Sequence, residues 1–227
     1  MNTIKKLIDE GIAFHKNNKL NDAKIKYLKV LKIDPKNFHI MKLLALIEYS
    51  LENYSNSLNL FSECIKAKPN NSDIYSDRAV VYHKLKEIKK AEKDYLKAID
   101  IDNNPNALFN YANLLKENNR LNEAVVNYNL SIKAKPDFTN AYQNRGLVKF
   151  LQNKQEEALT DFNTVIKINS NHANAHFLKS VIELRKENLI EGFKNYEWRW
   201  KSSLFFSKIR NFNKKTWDGK EDIKNKT

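Results

Sequence analysis

Glycine and proline are scarce, with four of each in 227 residues. Tight turns depend on them, so a fold of hairpins and short strands is excluded in favour of long helices joined by polar turns. The long segments also lack strand-type alternation. Cysteine occurs once, as Cys64. No internal disulfide can form, which suits a reducing compartment and points to the cytoplasm. No apolar run approaches the ~18 residues of a membrane-spanning helix. The N-terminal Met-Asn-Thr-Ile-Lys-Lys-Leu-Ile-Asp-Glu has neither the apolar core nor the small-residue cleavage site of a secretory signal. Arginine is rare too, six against thirty-four lysines in a net charge of +13. Guanidinium forks are the better readers of phosphates and bases, so this charge argues against direct nucleic-acid binding and for a compositional bias. The charge is uneven: residues 201–227 hold eight basic and three acidic side chains.

What is present is a repeat. At 41% hydrophobic and 30% charged residues, the chain has the balance of a folded protein with a sizeable core. Pro35 and Pro69 lie 34 residues apart, and Pro136 lies 67 beyond Pro69. Small residues recur at Ala23, Ser57, Ala91, Ala124, Ala158 and Gly192, spaced 34, 34, 33, 34 and 34. Four residues after each stands an aromatic: Tyr27, Phe61, Tyr95, Tyr128, Phe162 and Tyr196. Twelve residues before each lies Gly11, Ala45, Ala79, Ala112, Gly146 or Ser180. The pattern describes a helix, a polar turn such as Asn118-Asn119-Arg120, and an antiparallel second helix. Two helices approach closely only where small residues leave room, and an aromatic one turn later fills the widening gap.

This pattern resembles the tetratricopeptide repeat family in period, small positions and terminal proline. The resemblance implies an all-α, right-handed superhelical solenoid of about six helix-turn-helix repeats with a short C-terminal tail. The repeats are expected at 4–37, 38–71, 72–104, 105–138, 139–172 and 173–206, with residues 207–227 as a basic, aromatic-containing tail or linker. The third repeat is one residue short, and Asn103 stands where proline is expected.

In such solenoids the first helix of each pair lines the concave face. That places Asp77, Asn106, Asn110, Asn113, Asn140, Gln143 and Asn144 there as candidate partner-binding residues. The resemblance implies that asparagines at this place hydrogen-bond the backbone of an extended peptide, a task suited to an amide with both donors and an acceptor. The alternative is a solvated face in an asparagine-rich protein. No basic clamp stands out, because Lys42 and Lys84 are opposed by Asp73 and Asp77. His172 and His176 have a metal-compatible i,i+4 spacing but no third ligand close in sequence, so no metal is expected. Cys64 falls at a packed position and reads as structural. No phosphate-binding glycine loop or hydrolase elbow is present, and no catalytic residue or cofactor is expected.

The last repeat departs from a polar cap. Tyr196 and Trp200 share one helical face, while Trp198 lies nearly opposite, so two packing partners are expected there. The block Glu191-Gly192-Phe193, Tyr196-Glu197-Trp198-Arg199-Trp200, Arg210, Phe212 and Trp217-Asp218-Gly219 resembles the junction of bacterial tetratricopeptide-repeat glycosyltransferases, where a nucleotide-sugar transferase domain follows. Lys215 replaces a usual proline, and Asn225 a usual glycine. Tyr196, Trp198, Arg199, Trp200 and Trp217 are therefore candidate domain-interface residues; the alternative is that the tail, with Phe205, Phe206, Ile209, Phe212 and Trp217, folds back and covers the last helix. The sequence reaches Thr227 before any transferase domain, so no transferase residue is carried over. The expected function is a module that binds a protein or peptide partner, serving a glycosyltransferase in one version of this reading. The alternative is the acceptor-binding arm of a split or truncated glycosyltransferase. The oligomeric state is left open.

Overall fold

The computed structural model describes residues 2–205. Among them run twelve α-helices: α1 (Asn2–Lys16), α2 (Leu20–Ile33), α3 (Phe38–Ser50), α4 (Tyr54–Ala67), α5 (Ser72–Lys84), α6 (Ile88–Asp102), α7 (Pro105–Glu117), α8 (Leu121–Ala134), α9 (Thr139–Leu151), α10 (Gln155–Ile168), α11 (Ala173–Arg185) and α12 (Leu189–Tyr196). A 3-10 turn, Glu197–Lys201, follows α12. None of these helices is long and apolar enough to cross a membrane.

Odd-numbered helices pair with the even-numbered helix that follows, and each even helix from α2 to α10 packs on the next odd one. Contacts also run between α3 and α5, α5 and α7, and α7 and α9. The odd helices therefore lie closest together and form the inner face of the superhelix.

The crossings explain the sequence register. Ala45, Ala79, Ala112, Ala23, Ser57, Ala91, Ala124 and Ala158 are fully buried, as are the aromatics Tyr27, Phe61, Tyr95, Tyr128 and Phe162. A Cβ added to Gly146 would sit 2.8 Å from the Phe162 ring and 3.1 Å from the Asp161 Cβ. The glycine is required by this close approach to the aromatic of its own repeat.

Each odd helix ends in the same way. Asn18, Glu52, Lys86, Asn119, Asn153 and Glu187 all adopt positive φ, between 55° and 62°. The residue after each donates its N–H back to the carbonyl five residues earlier, as Asn53 does to Glu48 at 2.8 Å. This is the Schellman closure, which in most proteins uses glycine. Three asparagines tolerate it here, whereas Glu52, Lys86 and Glu187 carry the steric cost of a left-handed β-carbon.

The one-residue deficit of the third repeat is resolved by Asn103 and Asn104. Asn103 closes α6 in the left-handed conformation, at φ 51°. Asn104 then caps α7 by accepting the N–H groups of Asn106 and Ala107, with Pro105 in the first turn. Asn37 and Asn71 cap α3 and α5 with their side chains in the same manner, so part of the asparagine content is spent on helix starts.

Ion pairs reinforce alternate repeats. Arg78 on α5 forks onto Asp94 on α6 at 2.7 and 2.9 Å and reaches Ser62 on α4. Sixty-seven residues later Arg145 repeats this with Asp161 and Asn129. Glu10 and Lys26 form the corresponding pair in the first repeat with the signs reversed.

Two substitutions test this account. Gly146→Leu should overpack the α9–α10 crossing and cost about 1–3 kcal/mol in a urea melt. Glu52→Gly should remove the left-handed strain and stabilise the chain by about 1 kcal/mol.

Candidate functional site

The inner face is built from one side of α5, α7 and α9. The structure brings Asn113, Gln143 and Asn144 together into a polar row that crosses two repeats. Asn113 Oδ1 accepts from the Tyr128 hydroxyl at 2.6 Å and from Asn144 Nδ2 at 2.8 Å. Gln143 Nε2 reaches Asn144 Oδ1 at 3.5 Å, and Gln143 Oε1 is buried with no protein partner. Asn110 is half-buried and has no side-chain hydrogen bond among the described residues. The Asn106 and Asn140 side chains are exposed, near the starts of α7 and α9. Asn144 is thus tied to Asn113 and not to Asn110. The donors of Asn113 and most acceptor capacity of Asn144 remain for a ligand.

Asp77 stands apart from this row. Lys42 reaches it at 3.2 Å and Asp73 at 3.8 Å. Burial pushes the Asp77 carboxyl above its usual range, and the lysine only partly opposes that shift. Lys42 is therefore engaged within the protein.

Sequence reasoning did not single out the hollow beside these residues. It has a volume of about 650 Å³ and is lined by Tyr49, Val80, His83, Lys84, Lys86, Ile88, Glu117 and Asn118. His83 Nε2 lies 2.9 Å from Glu117 Oε2, across adjacent odd helices. Tyr49 and His83 occupy equivalent places near the ends of α3 and α5, four residues after Ala45 and Ala79, whereas Glu117 on α7 stands five after Ala112. His83 and Glu117 are 34 residues apart where the small positions are 33 apart, so the repeat register does not point to this pair.

The Tyr95 hydroxyl is buried and has no protein partner. In register, Val80 stands where Asn113 serves Tyr128. Burial accordingly raises the Tyr95 phenol above its usual value.

The C-terminal block differs from the sequence expectation. The helical wheel that set Trp198 opposite Tyr196 and Trp200 assumed an α-helix through Trp200. Instead α12 stops at Tyr196 and tightens into the 3-10 turn. Trp198 is turned back onto α11, where it stacks on His176 with ring centroids 4.3 Å apart and planes at 7°. It therefore packs within its own chain. Arg199 lies over the rings of both Tyr196 and Trp200, at 4.4 and 4.3 Å. Phe205 packs edge-on against Tyr196 and Trp200. Trp217 and the 207–227 tail lie outside the described residues.

The histidines have local roles. His172 Nδ1 accepts the Ala175 N–H as the cap of α11. The His176 nitrogens lie 2.7 Å from Asn195 Oδ1 and 2.9 Å from Ser170 O. Burial pushes the Cys64 thiol up to about 11, so little thiolate is available for chemistry at neutral pH.

The contrast between Tyr128 and Tyr95 gives a paired prediction. Tyr128→Phe removes one of the two donors to Asn113 Oδ1 and should cost about 1 kcal/mol. Tyr95→Phe removes a buried, unpaired hydroxyl and should stabilise by about 1 kcal/mol. Urea melts of the two variants check both signs.

The tetratricopeptide repeat model matches residues 72–105, 105–138 and 139–172. Over 161 residues the chain is 27% identical to Protein O-mannosyl-transferase TMTC3 of Homo sapiens, a match covering 63% of this chain and 17% of that protein. The chain thus spans about a sixth of the length of that relative. Among solved structures, the Cut9–Hcn1 hetero-tetramer of APC/C superposes with a TM-score of 0.72 at 14% identity, covering 86% of this chain and 39% of that one. YrrB, described as a TPR protein with an unusual peptide-binding site, superposes with a TM-score of 0.57 at 22% identity, covering 76% of this chain and 90% of that one. At these identities the superpositions establish the fold, which agrees with the paired helices and the matched repeats. The chain is an all-α superhelical solenoid of paired helices, and its residues 72–172 match the tetratricopeptide repeat.

Proposed function

We propose that this chain is an interaction scaffold that holds an extended peptide or protein segment along its inner face. The observation that carries this reading is the half-buried row of Asn110, Asn113, Gln143 and Asn144. Its spare donors and the unpartnered Gln143 Oε1 suit the alternating N–H and C=O groups of an extended backbone. The repeat family supports the reading, and so does the peptide-binding site named for YrrB. Asp77, Asn106 and Asn140 flank the row and would contact the ends of the bound segment. No cofactor is invoked. A cytoplasmic setting belongs to this proposal and rests on the single buried thiol of Cys64.

A second reading makes the chain the acceptor-holding arm of a glycosyltransferase. Two observations favour it: the Tyr196-Glu197-Trp198-Arg199-Trp200 block, and the O-mannosyl-transferase named among the relatives. In that reading the bound segment is the polypeptide to be glycosylated, and the inner face does the same work.

A peptide selected from a random display library against the intact chain tests the scaffold. It should bind the wild type saturably in a titration. Asn110→Ala with Asn144→Ala should weaken it at least tenfold, while stability falls by only about 1 kcal/mol, the worth of the Asn144–Asn113 bond. Equal binding to both proteins would leave the amides as a solvated face.

A further inference from the structure

The two ends of the solenoid are chemically unlike. At every internal junction the entering odd helix buries two aliphatic residues seven apart. These are Ile40 and Ile47 on α3, Ile74 and Val81 on α5, Ala107 and Leu114 on α7, Ala141 and Val148 on α9, and Ala175 and Ile182 on α11, all between 0% and 1% exposed. The same places on α1 hold Lys6 and Ala13, both exposed. The N-terminal end therefore has no apolar residue pair to bury against another repeat.

The C-terminal end is the reverse. Leu189 and Phe193 on α12 occupy the places of Tyr54 and Leu58 on α4, and of Leu121 and Val125 on α8. Those four residues are half-buried, and so are the counterparts in every other repeat. Leu189 is 54% exposed and Phe193 59% exposed. The difference has one structural source. Each of α2, α4, α6, α8 and α10 packs on a following odd helix, whereas α12 packs only on α11 and the 3-10 turn among the described residues. Ile190 does not belong to it. Its counterparts Asn21, Ser55, Lys89, Asn122 and Glu156 are all exposed, so this position points to solvent even where a next repeat is present.

We propose that the Leu189–Phe193 face docks a helix of another polypeptide, one that presents two aliphatic residues seven apart as α5 does. The face continues an interface that the protein forms five times internally, and those five junctions specify the chemistry of the occupant. A second copy entering head-to-tail would bring Lys6 against Phe193 and bury a charge without a partner. The chain's own sequence in register offers Ile209 at the first aliphatic place, but places Lys214 where Gly, Ala or Ser is invariably found, and Thr216 at the second aliphatic place. Lys214 and Thr216 are not residues the junction uses. This site is separate from the inner face and does not depend on the peptide reading of it.

The test uses a labelled peptide with the sequence of residues 72–84 carrying Asp77→Lys, held helical by an i,i+4 lactam between the Asp73 carboxyl and the amine of the introduced lysine, because so short a helix is marginal alone. Fluorescence anisotropy with the full chain should give saturable binding. Phe193→Glu should weaken it at least tenfold, and Ile190→Glu should leave it within twofold. A peptide carrying Ser in place of Ile74 and Val81 should not bind. No saturable binding to the wild type overturns the proposal. Equal losses from Phe193→Glu and Ile190→Glu also overturn it, by reducing the face to generic apolar adhesion. Sedimentation velocity supplies the remaining outcome: a wild-type dimer dispersed by Phe193→Glu would make a second copy the occupant and refute the docking of a foreign helix.

Discussion

The close crossing of the two helices within each repeat is the constraint on which the rest depends. At 2.8 Å from a ring carbon, a β-carbon at Gly146 cannot be accommodated without moving Phe162. Phe162 is itself sealed from solvent between helices. The small residue, the second small residue and the aromatic therefore act as one unit. They fix the angle of the pair, and the angle fixes how the next pair can stack. Repetition of that unit brings the odd helices together on one side, so an inner face exists at all.

Because the unit is local in sequence, its register was legible before any coordinates. So was the set of residues on the inner face, since helical periodicity assigns a face once the helix is known. What could not be read was which of those residues meet. Asn144 pairs with Asn113 on the neighbouring odd helix, 31 residues away, and that depends on the angle between repeats. The His83–Glu117 contact has the same origin. The Trp198 expectation failed for a different reason. A helical wheel assumes 100° per residue, and the change to 3-10 geometry after Tyr196 adds about 20° at each step. The ring then falls on His176 instead of facing away from its own repeat.

The buried arginine–aspartate pairs show that the repeats are not interchangeable. Asp94 and Asp161 are 4% and 1% exposed, and each accepts a bidentate fork. Leu44 and Leu60 hold the equivalent places in the second repeat, so an apolar solution fits the same geometry. Buried pairs of this kind often add little net stability over an apolar pair, yet breaking one costs about 3–5 kcal/mol. Their effect is to penalise misaligned stacking. An arginine slipped by one repeat would face a leucine or an asparagine, Leu60, Asn127 or Asn195, and lose its carboxylate. Lys149 adds a second cation to Asp161 at 3.1 Å, which strengthens that penalty where α9 and α10 cross.

A repeat protein must also solve its ends, since the stacking that stabilises the interior has no natural stop. The two ends solve this differently. On α1 the stop is chemical: Lys6 and Ala13 replace the aliphatic pair, and the Glu10–Lys26 ion pair takes the register held by Arg78–Asp94 and Arg145–Asp161. On α12 no such replacement has been made. The helix has eight residues where the other even helices have fourteen or fifteen, and it keeps Leu189 and Phe193 in the stacking register. Its shortening instead folds the aromatic residues that follow back over α11, with Trp198 on His176 and Phe205 against Phe177. That covers the side of the repeat next to the turn and leaves the stacking face bare. Burying a phenylalanine contributes about 2–3 kcal/mol. An end that closes one apolar side and exposes the other is therefore suited to receiving a helix, and its polarity gives the solenoid a defined direction for any assembly it enters.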